Sequence, residues 1–230
     1  TDFIEQTEQH LFDLATSGSM DRGFVSFADA LADSIITAQN AYKSTGHVVG
    51  VTTGLLDLDK KLGGLHPSDL LILAGRPSMG KTALALSIAR NLAVEYKKSI
   101  AFFSLEMASV QLVNRLVSSE SGIPGEKLKK GQLDKQDWEH MHASLKQLGE
   151  APIFIDDTAA LSVFELRAKC RRLKAQHDIQ MIVIDYLQLM TAGGNQKGGN
   201  REQEISTISR SLKALAKELE VPVIALSQLS

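Results

Sequence analysis

The chain is poor in several features that would assign it to particular classes of protein. It contains one cysteine in 230 residues, which excludes a disulfide framework and is typical of a reducing compartment. Its formal net charge of −2 at pH 7 excludes a globally basic nucleic-acid binder, so any such contact must come from a local patch. No apolar run reaches the length of a membrane-spanning helix, and the acidic N-terminal stretch lacks the apolar core of a secretory signal. These absences predict a cytoplasmic protein with no membrane partner.

Metal and thiol chemistry also find little support in the sequence. The six histidines are scattered, and His140 and His142, two residues apart on a predicted helix, point to different faces. We therefore assign no structural metal site to histidine. The single cysteine, Cys170, has no nucleophilic partner beside it in sequence and is interpreted as an ordinary helix residue.

What the sequence does contain is a phosphate-binding loop. The pattern G-x-x-x-x-G-K-[ST] is matched by the segment Gly75-Arg76-Pro77-Ser78-Met79-Gly80-Lys81-Thr82. Its two glycines allow the backbone to curl so that successive N–H groups face a polyphosphate. The Lys81 ammonium can neutralise the β- and γ-phosphates, and the Thr82 hydroxyl can hold the accompanying Mg²⁺. The whole segment is therefore predicted to bind a nucleoside triphosphate, with ATP and Mg²⁺ as the cofactors.

The surroundings of this loop predict the fold. Apolar runs alternate with helical patterns, which is typical of a mostly parallel sheet covered by helices on both faces. The predicted strands are 70–74, 100–104, 152–155, 181–185 and 222–226. The predicted helices are 81–96, 108–121, 135–148, 163–177 and 202–219. The phosphate loop thus lies between a strand and a helix N-terminus, the context that an anion site requires. The sequence predicts an α/β P-loop NTPase domain.

Three polar residues occur at the carboxyl ends of predicted strands. Glu106 comes two residues after one strand, Asp185 ends another, and Gln228 comes two residues after a third. Because ligands bind at this edge of open parallel sheets, we expect all three side chains to face the nucleotide. We assign activation of the attacking water to Glu106, support of the metal to Asp185 and sensing of the γ-phosphate to Gln228. For each of them the alternative is a capping or loop residue with no catalytic role.

A glycine-rich segment, 192–200, separates the last predicted helix from the strand before it. Four glycines in nine residues predict a loop that is mobile without a ligand. Lys197 within it and Arg201 beside it suit contact with a nucleic-acid backbone. The alternative, which charge alone favours, is an ordinary surface loop and a solvated basic helix. A second basic run, residues 167–174, is expected only to solvate its helix.

The first 45 residues have a different pattern from the rest. Residues 3–14 have helical spacing of apolar side chains, and a second helix is predicted to begin at Ser26, with Asp29 completing a cap. An amphipathic helix of this length cannot bury its apolar stripe alone. The first helix is therefore expected to dock either on its own domain or on a neighbouring molecule.

Several segments together resemble the bacterial replicative DNA helicase of the DnaB type. They are Gly75–Ala83, Phe103-Ser104-Leu105-Glu106-Met107, Ile184-Asp185-Tyr186-Leu187-Gln188-Leu189-Met190 and Pro222–Ser230. The upstream Thr53-Gly54 and Gly63-Gly64-Leu65 are similar to the same family. The segments occur in the family's order, and the resemblance extends over the whole chain.

The resemblance implies a RecA-like core that assembles as a homohexameric ring around single-stranded DNA. It implies ATP hydrolysis at subunit interfaces, 5′-to-3′ movement and unwinding of duplex DNA, with primase and a helicase loader as partners. It implies a DNA contact from the loop region that holds Lys197, Gly199 and Arg201. It also implies that residues 1–20 form a linker helix on the adjacent subunit and that residues 21–230 form the ATPase domain.

The sequence departs from the family's pattern at both ends. The family's N-terminal helical domain, which engages primase, is not in this chain, and the chain ends at Ser230, directly after the glutamine motif. In the family, further strands and an arginine finger for the neighbouring site follow that motif, and such a finger greatly increases turnover in related nucleotidases. These 230 residues alone are therefore expected to bind nucleotide and to hydrolyse it slowly.

Two other functions are compatible with the same residues. A RecA-like recombinase or a signalling ATPase shares the fold, because fold does not determine function. A non-catalytic module that uses nucleotide only to assemble is the second alternative. Of the three interpretations we prefer the replicative helicase motor, an ATPase of the RecA-like P-loop class.

Overall fold

The computed structural model describes residues 24–43, 50–191 and 201–229 of the chain. The chain divides into two compact units, residues 1–44 and 45–230. In the first unit, helix α1 spans Phe27–Lys43. Its predicted cap is confirmed, since the Asp29 N–H donates to Ser26 Oγ at 3.1 Å and the Ser26 hydroxyl donates to the Asp29 carboxylate at 2.6 Å. The predicted helix over 3–14 and the predicted boundary after residue 20 lie outside the described residues.

The described part of the second unit contains one parallel sheet whose strands lie in the order β1-β5-β4-β2-β3. The strands are β1 (Leu70–Gly75), β2 (Ile100–Ser104), β3 (Ile153–Asp156), β4 (Met181–Asp185) and β5 (Val223–Gln228). The helices are α2 (Leu56–Leu62), α3 (Lys81–Arg90), α4 (Ser109–Ser121), α5 (Gly125–Lys130), α6 (Lys135–Gly149), α7 (Val163–His177) and α8 (Arg201–Leu219). A π-helical turn (Asn91–Glu95) continues α3, and a 3₁₀ turn (Leu187–Leu189) follows β4.

The central strands are apolar on both faces because helices cover both faces of the sheet. In β2, Phe102 belongs to the core cluster on the side of α3 and α4, which includes Leu86 and Leu112. Its neighbour Phe103 belongs to the opposite cluster, on the side of α7 and α8, with Leu166. Successive side chains of a strand point to opposite faces, so an uninterrupted apolar run fills both clusters. The predicted α/β architecture is confirmed.

The edge strand β1 is less covered than its apolar sequence suggests. It pairs with β5 on one side, and its Ile72 side chain is 47% exposed. The central strands β2 and β4 are buried at every position. An apolar run alone does not distinguish a central strand from one at the edge of the described sheet.

All the strands and helices predicted after residue 50 are present, and their boundaries agree within two residues when the π-helical turn is counted with α3. Two helices, α2 and α5, and the 3₁₀ turn were not predicted. Helix α5 has only six residues and is followed by Gly131, whose φ of 66° is left-handed. Such short helices show too few turns for a periodic apolar pattern. No helix among the described residues is long and apolar enough to cross a membrane.

The basic run on α7 does more than keep that helix solvated, so the simple expectation was wrong. Arg167 and Arg171 both pair with the Glu218 carboxylate of α8. Lys169 pairs with Asp156 at the end of β3, at 2.6 Å. The run therefore ties α7 to neighbouring elements, because α7 packs beside α8 and the edge of the sheet.

Cys170 lies on the opposite face of α7, in the core. Its side chain is fully buried, and burial, with a smaller effect from the charge of Asp156, raises the pKa of its thiol to about 12. A thiol with so high a pKa is a poor nucleophile at neutral pH. The interpretation of Cys170 as an ordinary helix residue is confirmed.

A buried carboxylate anchors the segment that precedes β1. Asp59 of α2 is 5% exposed and accepts hydrogen bonds from the Thr53 N–H at 2.7 Å and the Thr53 hydroxyl at 2.8 Å. The Thr52 hydroxyl donates to its other oxygen at 2.5 Å. Because Thr53 is fully buried, no water can replace these bonds without a rearrangement.

An Asp59→Ala substitution is therefore expected to reduce the free energy of unfolding by about 2–4 kcal/mol, since it leaves buried donors without acceptors. Asp57→Ala, on the exposed side of the same helix, is the matched control and is expected to leave stability unchanged. Urea denaturation of both variants measures the difference. Equal midpoints for Asp59→Ala and the wild type would show that this network does not stabilise the fold.

Candidate functional site

The phosphate-binding loop connects β1 to α3 and already has a curled conformation. Gly80 has a φ of 85°, a left-handed value that favours glycine, and an added Cβ there would meet nothing within 4 Å. The requirement for glycine at this position is therefore conformational. The Lys81 ammonium donates to the carbonyl oxygens of Gly75 at 2.8 Å and Arg76 at 3.0 Å. The lysine thus lies folded over the loop, where a phosphate could exchange with these carbonyls.

The two predicted metal ligands touch each other. The Thr82 hydroxyl donates to Asp185 Oδ2 at 2.7 Å, although the residues are 103 positions apart in the sequence. Thr82 opens α3, and Asp185 is the last residue of β4 and is 2% exposed. Burial is the largest influence on the Asp185 carboxyl and raises its pKa, and the charge of Glu106 acts in the same direction. The Thr82 hydrogen bond and the charges of Lys81 and Arg115 oppose this rise.

Glu106 lies beside Asp185 because β2 and β4 are paired. Ser104, the last residue of β2, is in register with Asp185, and the Leu105 N–H donates to the Asp185 carbonyl at 2.7 Å. Glu106 follows directly and is exposed, and its charge contributes to the raised pKa of Asp185. The structure therefore brings together the two carboxylates that were predicted at this edge.

Ser104 is a residue of this site that the sequence analysis did not assign. Its buried hydroxyl donates to the Met107 carbonyl at 2.6 Å and so shapes the turn that carries Glu106. A polar residue at the end of an otherwise apolar strand was the only signal for it. Ser104 acts on the site by holding this turn, since Glu106 lies between the two bonded residues.

Gln228 is the last residue of β5, next to the start of the phosphate loop. It is in register with Gly75, and the Leu229 N–H donates to the Gly75 carbonyl at 3.1 Å. The strand thus extends two residues further than predicted, and Gln228 lies within it. The neighbouring amide of Gln188 bonds to the backbone of Gln228 through both of its ends.

The three predicted DNA contacts lie at or beyond the edge of the described structure. The loop that was predicted to be mobile, with Lys197 and Gly199 in it, is outside the described residues. Arg201 is the first residue of α8, and its guanidinium pairs with Glu204 and donates to the Gln188 carbonyl. Further along the same helix, the Lys213 ammonium donates to the Ser68 carbonyl at 2.7 Å. Ser68 precedes β1, so this bond lies near the amino end of that strand.

The residues at the phosphate loop fit a nucleotide with Mg²⁺. A threonine hydroxyl and carboxylate oxygens are hard ligands of the type that Mg²⁺ takes, together with water and phosphate oxygens. The described residues contain no cluster of three or more histidine, cysteine or acidic side chains, so none offers an all-protein metal cage. A cavity of about 290 Å³ borders the loop at Gly75, Met79 and Lys81. A larger cleft of about 990 Å³ lies between α3 and α4.

A family model and individual relatives both match this chain to one protein family, over almost its entire length. The family described as "DnaB-like helicase C terminal domain" matches residues 50–230. Replicative DNA helicase DnaB of Rickettsia bellii is 44% identical over 99% of this chain and 47% of its own length. The helicase of the same name from Geobacillus stearothermophilus is 48% identical over 90% of this chain and 45% of its own length. The chain therefore spans about half the length of these relatives.

Solved structures agree with the sequence relatives. One of them, described as an ATPase domain, superposes with a TM-score of 0.82 at 33% identity, covering 90% of this chain and 72% of that one. A DnaB-like replicative helicase, studied with its primase interactions, gives a TM-score of 0.78 at 32% identity over 99% of this chain and 54% of that one. Because the family match extends over the phosphate loop, Glu106, Asp185 and Gln228 alike, this chain belongs to the DnaB-like helicase C-terminal domain family.

Proposed function

We propose that this chain is the ATP-hydrolysing motor of a replicative DNA helicase. The observation that carries the proposal is the contact between Thr82 and Asp185 beside the phosphate loop. It supports a site in which hydroxyl, carboxylate and phosphate oxygens meet at the carboxyl edge of a parallel sheet. The relatives that share this chain's sequence are replicative DNA helicases, which supports DNA as the object of the motor.

In the proposed mechanism each residue acts at the position that the fold gives it. Lys81 releases the carbonyls of Gly75 and Arg76 and binds the phosphates of ATP. Thr82 and Asp185 are the residues that would hold Mg²⁺, which when bound would offset negative charge on the β- and γ-phosphates. The Glu106 carboxylate accepts a proton from the attacking water.

Asp185 is suited to a metal-supporting role by its surroundings. Its burial disfavours an isolated negative charge, and among the described residues the Thr82 hydroxyl and the cations Lys81 and Arg115 oppose this effect. A divalent cation at the Thr82 end of the carboxylate would supply the missing compensation. Glu106, exposed two residues beyond β2, is by contrast free to reach water.

Gln228 is proposed as the residue that senses the γ-phosphate. Its strand runs beside β1, so its position is fixed relative to Gly75 at the start of the phosphate loop. Binding or loss of the γ-phosphate at the loop would then change the position of Gln228 at the end of β5. Movement of the segment with Lys197, Gly199 and Arg201 against single-stranded DNA would be the mechanical result.

Assembly into a homohexamer is supported by helix α1. Large apolar side chains on it are exposed, among them Phe27 at 82% and Tyr42 at 89%. An amphipathic helix such as α1 is not stable by itself and needs a surface that covers its apolar side chains. A ring of identical chains around single-stranded DNA would provide one, with residues 1–20 as the linker. Primase and a helicase loader are the further partners that we propose, in the cytoplasm.

The full-length protein tests this proposal through ATP hydrolysis and unwinding. We expect single-stranded DNA to stimulate hydrolysis, and a forked duplex to be unwound when it carries a 5′ tail. Formation of open filaments with strand exchange would instead indicate a recombinase. Nucleotide-dependent assembly with no DNA-stimulated hydrolysis would contradict the motor and indicate an assembly module.

A further inference from the structure

Gln188 connects three elements of the domain, although the proposed mechanism gives it no role. It is the middle residue of the 3₁₀ turn that follows β4, three positions after Asp185. Its side chain bonds to the end of β5, and its backbone carbonyl accepts from the first residue of α8. It therefore lies where the metal-supporting strand, the Gln228 strand and the α8 helix meet.

The amide of Gln188 uses both of its ends on β5. Its Nε2 donates to Ser227 Oγ and to the Gln228 carbonyl, each at 3.0 Å. Its Oε1 accepts from the Gln228 N–H at 3.3 Å. The backbone of Gln228 thus needs both a donor and an acceptor from one side chain, which only an amide provides in this geometry.

The second connection leads away from the nucleotide. The Arg201 guanidinium donates to the Gln188 carbonyl and pairs with Glu204 one turn into α8. Arg201 stands at the start of α8, directly after the segment that holds Lys197. The turn at Gln188 is thus bonded both to the start of this helix and to the end of the strand at Gln228.

We propose that Gln188 is a positioning residue that couples nucleotide state at Gln228 to DNA affinity at the start of α8. This inference rests on the proposed function, since it concerns the link between ATP hydrolysis and DNA. Gln188 acts through Gln228 and Arg201 and touches neither ligand. By thermodynamic linkage, a coupling that makes ATP strengthen DNA binding also makes DNA strengthen ATP binding. Stimulation of hydrolysis by DNA is the kinetic effect that we propose for the same connection.

The test uses the full-length protein with Gln188→Leu, which removes both ends of the amide, and Gln188→Glu, which keeps an acceptor and loses the donor. Gln180→Leu is the matched control, because Gln180 lies at the opposite end of β4 and its side chain bonds to Asp178. Two ratios are measured for each protein. One compares the hydrolysis rate with and without saturating single-stranded DNA, and the other compares the dissociation constant for DNA with ADP and with a non-hydrolysable ATP analogue.

We expect both Gln188 variants to reduce both ratios by about five-fold or more, the range of ordinary coupling between two sites, while Gln180→Leu behaves as wild type. A merely structural role would lower rates and affinities together and leave the ratios unchanged, and that result would overturn the proposal. Gln188→Glu preserves the test if the leucine variant does not fold. If the wild type shows no stimulation by DNA, the proposed function itself fails, which is a distinct outcome.

Discussion

A Glu106→Gln protein is expected to bind ATP like the wild type and to lose hydrolysis by about two to four orders of magnitude, the usual contribution of a general base. The substitution keeps the size and polarity of the side chain and removes its ability to accept a proton. ATP binding should be preserved because Glu106 lies in the turn after β2, held by the bond between Ser104 and Met107, and not in the phosphate loop itself.

The measurement is a comparison of turnover and affinity in the same preparation. Steady-state hydrolysis with single-stranded DNA gives the rate, and titration with a non-hydrolysable analogue gives the affinity. Glu139→Gln, an exposed position on α6, is the control and is expected to keep both. If Glu106→Gln kept its turnover, Glu106 would not be the residue that activates the attacking water. If this variant lost affinity for the ATP analogue as well as turnover, Glu106 would instead contribute to nucleotide binding.

Replacing Lys81 by alanine is expected to have an effect of similar size through a different step. The variant loses the ammonium that would neutralise the phosphates, and hydrolysis is expected to fall by about two to three orders of magnitude. In this structure the Lys81 ammonium bonds to the carbonyls of Gly75 and Arg76 at the edge of the loop. Its removal should therefore cost little stability, so that the loss can be attributed to phosphate binding.

Thermal unfolding of the same variant separates the two effects. We expect Lys81→Ala to keep a melting temperature close to that of the wild type while its hydrolysis is lost. Lys146→Ala, an exposed lysine on α6, controls for the loss of one positive charge. A large drop in melting temperature would mean that Lys81 organises the loop itself, and the kinetic result could not then be assigned to phosphate.

Much of the fold follows from the sequence because the central strands β2 and β4 are apolar at every position except their last. A strand such as β4 must be covered on both faces, and a parallel sheet with helices on either side is the solution. The contact between Thr82 and Asp185 was predictable for the same reason. Asp185 ends β4, and Thr82 lies in the first turn of the helix that follows β1, so both residues lie at the edge of the parallel sheet where its strands end.

Other features depend on contacts between distant residues that leave no pattern in the sequence. The amide of Gln188 finds its partners 40 positions away on β5, and its chemistry is set by the register of that strand. The pairing of Arg171 with Glu218 likewise requires α7 and α8 to be neighbours. Neither the strand order nor the packing of these helices can be derived from the apolar pattern of one chain.

The central claim is that a triphosphate and its magnesium bind at the phosphate loop beside Asp185. Its most direct test is an equilibrium titration of the wild type and Lys81→Ala with a labelled, non-hydrolysable ATP analogue, in Mg²⁺ and in EDTA. The wild type should bind one analogue per chain, much more weakly in EDTA, and Lys81→Ala should bind poorly in both. Equal affinity in all four titrations would place the nucleotide elsewhere and contradict the assignment of this site.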